Sequence, residues 1–135
     1  MSWNVNIRAK ELTMPKREDF PVIFEKLKSI LQSCDGQFTV KVDKPDNYYL
    51  DGPYSEKYKK EIFFGSVQIQ KNYVSFYLMP VYMFPDLLDT IPDDLKKRMQ
   101  GKSCFNFTSL DDDLINKIAD LTNESLARVR QEKLL

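Results

Sequence analysis

The chain has 135 residues, with 20 Lys and Arg against 20 Asp and Glu, 42% hydrophobic and 30% charged side chains. This is the composition of a globular domain, neither disordered nor membrane-embedded. Histidine is absent, which excludes a Ser-His-Asp or Cys-His nucleophile, an imidazole base near neutrality and a His-containing zinc site.

A chain of this length is expected to form a single domain, 1–135, burying roughly two-thirds of its unfolded surface. Residues 1–18 read as an irregular N-terminal arm. Trp3, Val5 and Ile7 alternate there as in a short edge strand, and Met14-Pro15 breaks the pattern. The start lacks the charged and apolar regions of a signal peptide, and no apolar run approaches the ~20 residues that span a bilayer. Cys34 and Cys104 have no second Cys or His at metal-ligand spacing and read as reduced, buried small hydrophobes. A cytoplasmic protein is expected.

The first strong periodicity is a helix over 20–34. Phe20, Ile23, Phe24, Leu27, Ile30, Leu31 and Cys34 share one face, with Asp19 as N-cap, Pro21 in the first turn and Gly36 as the stop. Phe38, Val40 and Val42 then alternate with polar residues as in a half-buried strand. From Lys44-Pro45-Asp46-Asn47 to Lys60 the chain reads as a long loop, with at most a short strand at Tyr48 to Leu50. The Lys57, Lys59, Lys60 cluster within it is flanked by Glu56 and Glu61 and reads as a solvated face. No basic face suited to nucleic acid results.

The densest β signal is a hairpin over 62–78, turning at Gln70-Lys71-Asn72, where Asn suits a positive φ. Gly65 inside its first strand predicts a bulge or a close approach by another group. After Pro80 and Pro85, a short helix over 86–90 and another over 93–99 are expected. Pro92 sits in the first turn of the latter, and Gly101 in a left-handed conformation stops it. Residues 102–107 read as a strand. Ser109 with Asp112 resembles a capping box for a last helix over 111–131, with Asp113–Lys117 and Glu124–Arg128 as i,i+4 pairs. The expected fold is therefore α+β. An antiparallel β-sheet with a central hairpin at 62–78 is packed by helices at 20–34, 93–99 and 111–131.

Two groups of residues invite a chemical reading. Asp86, Asp89, Asp93 and Asp94, with Asp111, Asp112 and Asp113, offer hard oxygen ligands but no EF-hand spacing, and each falls in a cap or first turn. The aromatic cluster Phe63, Phe64, Tyr73, Phe76, Tyr77, Tyr82 and Phe84 is rich enough to fill a core or to line a pocket. On the second hairpin strand Tyr73, Ser75 and Tyr77 share one face and Val74, Phe76 and Leu78 the other. The first face, covered by the Pro80–Phe84 segment and the 44–60 loop, is the expected ligand cleft. Its candidate residues are Tyr73, Ser75, Tyr77, Tyr82 and Lys102.

The segments Phe64-Gly65-Ser66-Val67-Gln68-Ile69 and Tyr73-Val74-Ser75-Phe76-Tyr77, with Pro80 and Gly101-Lys102-Ser103-Cys104-Phe105-Asn106-Phe107 before a C-terminal helix, resemble the YdhG-like family of small bacterial domains. The resemblance covers about residues 18–130. It implies an antiparallel sheet with helices packed against it in a frataxin-like arrangement, and one branch of the family is proposed to chaperone intracellular iron. The first helix here carries Glu25 beside Lys26 and Lys28 in place of an acidic ridge. The expectation is thus a non-enzymatic binding module, monomer or homodimer, holding a small partly apolar ligand or a partner without cofactor, nucleic acid or membrane. Metal handling through surface carboxylates and a His-independent enzyme are the alternatives.

Overall fold

The computed structural model describes residues 19–135; the 1–18 arm and its expected edge strand lie outside the described residues. Helix α1, Phe20–Gln32, buries the face its 3.6-residue period defines: Phe20, Ile23, Phe24, Leu27 and Leu31. Its ends differ from expectation. Asp19 is already helical and its side chain makes no capping bond. Gly36 lies in a short 3₁₀ turn, Asp35–Gln37, without positive φ, so the end of α1 is closed by backbone bonds from Ser33 and Cys34.

Six antiparallel strands follow in the spatial order β1-β2-β3-β4-β6-β5. They are β1 Thr39–Lys44, β2 Asn47–Ser55, β3 Lys60–Ile69, β4 Val74–Leu78, β5 Met99–Gln100 and β6 Cys104–Phe107. The β3–β4 hairpin is central, as its two-sided apolar pattern predicts. Its loop is closed by the Gln70 N–H donating to the Tyr73 carbonyl at 2.8 Å, and Asn72 keeps a negative φ, contrary to expectation.

The 44–60 segment is the main correction. Its first nine residues after the Pro45-Asp46 turn form β2, wedged between β1 and β3. Two register shifts, between Leu50 and Asp51 and between Asp51 and Tyr54, absorb Gly52 and Pro53, whose missing N–H is tolerated only where the ladder is irregular. β1 is thereby an edge strand, and Val40, expected inward, is 41% exposed beside a further register shift. Lys28 pins this edge to α1 through Asp43 at 2.9 Å.

The remaining helices are α2 Met79–Met83, α3 Asp93–Lys96 and α4 Asp112–Gln131, with a 3₁₀ turn at Pro85–Leu88. Helix α2 occupies the Pro-bracketed segment after β4, where no helix is expected from the sequence, and α3 is shorter than 93–99 because Met99 and Gln100 pair with β6. Pro92 is the residue before α3 and is extended. At α4 the cap is Asp111, whose carboxylate accepts the Leu114 N–H at 2.8 Å; Ser109 does not serve. Lys117 pairs with Asp113 as expected and also with Asp94, each at 2.7 Å. Arg128 turns from Glu124 to Asp86 at 2.7 Å and Glu132 at 3.3 Å.

The core lies between α1, α4 and one face of the sheet. Tyr48, Leu50, Val67, Val74, Phe76, Leu78, Phe105 and Phe107 meet Leu27, Leu31, Ile118 and Leu121 there. Gly101 has φ +78, in the turn between β5 and β6 and not at a helix end. A Cβ there would meet nothing within 4 Å, so the cost of alanine is conformational alone. Gly101→Ala is expected to lose about 1–2 kcal/mol in urea unfolding, and an unchanged midpoint would refute the assignment.

Candidate functional site

Strand pairing sorts the second face of the sheet. Ser66 lies opposite Tyr77, Gln68 opposite Ser75, Ser75 opposite Asn106, and Tyr77 opposite Cys104. The expected stripe of Tyr73, Ser75 and Tyr77 is real and faces away from the core stripe of Val74, Phe76 and Leu78, all fully buried. Among the described residues its middle carries a network of polar contacts. Ser75 is buried and donates to Asn106 Oδ1 at 2.9 Å; Cys104 Sγ approaches the same oxygen at 3.3 Å, and Asn106 Nδ2 donates to Gln100 Oε1. Tyr77 is half-buried beside Cys104 and Ser75. Burial, then the Cys104 thiol, pushes its hydroxyl above the usual tyrosine range. Burial likewise pushes the Cys104 thiol up, which keeps it protonated and a poor nucleophile.

The expected cover is also different. The 44–60 segment lies in the sheet as β2, and α2 packs with α4 and β3, burying Pro80 and Val81. Tyr82 is left 55% exposed, with Lys102 Nζ 5.9 Å from its ring centroid. The structure thus joins Tyr82 to Lys102 and places Ser75 and Tyr77 beside Cys104 in a separate polar network, with Tyr73 near Tyr77.

A cleft of about 480 Å³ opens where β2, β3 and α2 meet, within the size range of small-ligand sites. Its floor is Tyr49 stacked on Phe63, centroids 4.6 Å apart at 25°. The hairpin end supplies Tyr58, 41% exposed, and Ile62; α2 supplies Met79, Tyr82 and Met83. Asp51, Lys60 and Glu61 are its charged lining residues. Lys41 meets Glu61 at 3.0 Å. Burial first, then the Glu61 charge, raises the Asp51 carboxyl above its ordinary value, against a smaller opposing effect of Lys41. Burial and Asp51 together raise the Tyr49 hydroxyl.

Phe63 and Tyr82 were in the aromatic cluster singled out from sequence, but Tyr49, Asp51 and Tyr58 were missed. The alternation of Tyr48 and Leu50 with Tyr49 and Asp51 is the signal that could have found them, and Gly52-Pro53 cuts it short. Of the rest of that cluster, Phe64 and Phe76 fill the core, and Phe84 is half-buried under the Arg128 guanidinium, 4.6 Å from its centroid.

Asp86, Asp94, Asp111 and Asp113 of the acidic runs are engaged structurally. Arg128 holds the Asp86 carboxyl below the usual carboxylate range, and Lys117 does the same for Asp94. Among the described residues no three Cys, Asp or Glu side chains converge in a way that could hold a metal ion. No described helix is long and apolar enough to cross a membrane. No protein-family model, curated protein or solved structure matches the chain.

Proposed function

We propose that this chain is a non-enzymatic binding module that holds a small, partly apolar ligand in the cleft between the β2–β3 hairpin and α2. The observation that carries the reading is the pair of exposed rings, Tyr58 and Tyr82, standing over the Tyr49–Phe63 floor around an open volume of about 480 Å³. Large aromatic side chains left in water around a concave, mostly apolar surface are what small-molecule sites use for affinity, with a few polar groups for orientation. The absence of histidine and the protonated state favoured for Cys104 support a binding role over catalysis. The same proposal keeps the chain in the cytoplasm, in line with two free cysteines, and as a relative of YdhG-like domains.

Native mass spectrometry of the full chain purified from bacterial cells tests this. A stoichiometric small-molecule adduct is expected, lost in Tyr58→Ala/Tyr82→Ala, a double variant of exposed residues that should leave the unfolding midpoint nearly unchanged. A bare mass, together with unshifted NMR signals of Met79 and Met83 in a fragment mixture, would overturn the proposal.

A further inference from the structure

We propose that the cleft takes an organic cation, a small alkylammonium compound whose charged head sits among the Tyr49, Tyr58 and Tyr82 rings beside the Asp51 carboxylate. This rests on the cleft being a ligand site and adds the chemical class of the ligand.

Aromatic faces carry negative potential and attract ammonium groups within about 6 Å of the ring centre, most strongly for quaternary heads that are weakly hydrated. The chain's own lysines already approach these rings. Lys57 Nζ is 5.4 Å from the Tyr58 centroid and Lys102 Nζ 5.9 Å from that of Tyr82. Both stand near the outer limit of the interaction, on exposed side chains that solvent screens, so a desolvated ligand head would outcompete them.

The second observation is the charge balance of the wall. Glu61 is met by Lys41 at 3.0 Å, whereas Lys41 acts on the half-buried Asp51 carboxylate only through a smaller Coulombic attraction, and among the described residues no hydrogen bond or salt bridge reaches that carboxylate. Burial, and after it the neighbouring Glu61 charge, works against that carboxylate's ionised form. An anionic ligand would repel this incompletely compensated charge, and a neutral one would remove water without supplying a partner. A cation supplies the partner. Lys60 also lines the cleft, but it is exposed at the hairpin end, where its stem can lie on apolar surface with its ammonium in water. The thioethers of Met79 and Met83 complete a polarizable wall that adapts to alkyl groups.

The test titrates the full chain with choline and with 3,3-dimethylbutan-1-ol, its neutral isostere of the same shape, following the Met79 and Met83 methyl and tyrosine ring signals by NMR. Choline should bind at least about tenfold more tightly than the isostere, the effect of a desolvated cation–π and carboxylate contact. Asp51→Asn should abolish most of that difference by weakening choline, and Tyr82→Ala should weaken choline without altering the rest of the spectrum. Equal binding of the two probes would overturn the cation assignment and leave the cleft a neutral-ligand site. Failure of both probes to shift these signals would overturn it as well. So would binding of a trimethyl-lysine peptide without binding of free choline, which would make the occupant a protein.

Discussion

Replacing Phe76 with alanine is expected to destabilise the protein by about 3–5 kcal/mol, the range for deleting a fully buried aromatic ring. Phe76 has no exposure, sits in the middle of β4, and lies opposite both Val67 on β3 and Phe105 on β6. The ring therefore touches the part of the core where the central strands meet the helices. Those neighbours are held by two hydrogen-bonded ladders, so the void cannot close by collapse. Since a domain of this kind is stable by only ~5–15 kcal/mol, the variant should sit near the threshold of folding. Urea unfolding should show a large drop in midpoint at unchanged m-value. A loss below about 1.5 kcal/mol would mean that β4 does not carry the centre of the core.

Gly65→Ala tests a close approach, and the sign of its effect is the result. In an unconstrained strand position, alanine restricts the unfolded chain and adds about 0.4–1 kcal/mol of stability. Here an added Cβ would stand 2.9 Å from the Tyr77 carbonyl oxygen and 3.0 Å from Leu31 Cδ2. The first is backbone fixed in the β3–β4 ladder, and the second belongs to a fully buried residue of α1. Neither can yield cheaply, so a loss of about 1–3 kcal/mol is expected from overpacking. Gly36→Ala is the control, because its Cβ meets nothing within 4 Å and its φ is not positive. If Gly65→Ala and Gly36→Ala stabilise alike, α1 does not pack against β3 at this point.

Much of the architecture was legible because its signals are local. The apolar stripe of α1, the acids at the start of α4, the two apolar runs around Gln70–Tyr73 and the glycine at 101 each act within a turn or a pair of neighbouring residues. Periodicity therefore placed the long helices and the central hairpin within a few residues of their ends. It also foresaw the constraint at Gly65, though not that Leu31 of α1 supplies half of it.

The second strand and the cleft were decided only by tertiary structure. Asn47–Ser55 contains a Gly-Pro step and three tyrosines, of which the adjacent Tyr48 and Tyr49 take opposite faces, a composition that suits a loop as well as a strand. What makes it a strand is partners at a distance: β1 on one side and β3 on the other satisfy its backbone, and register shifts absorb Gly52 and Pro53. Once β2 is in the sheet, Tyr49 comes to stack on Phe63 and Asp51 to line the same hollow as Tyr82 of α2, residues up to 33 positions apart in the chain. The candidate residues Tyr73, Ser75 and Tyr77 share a face, as period two requires, but period two says nothing of what lies over that face. The sequence by itself thus determined the class of fold, its long helices and its central hairpin. Only the pairing of distant strands decided where aromatic rings are left open to a ligand.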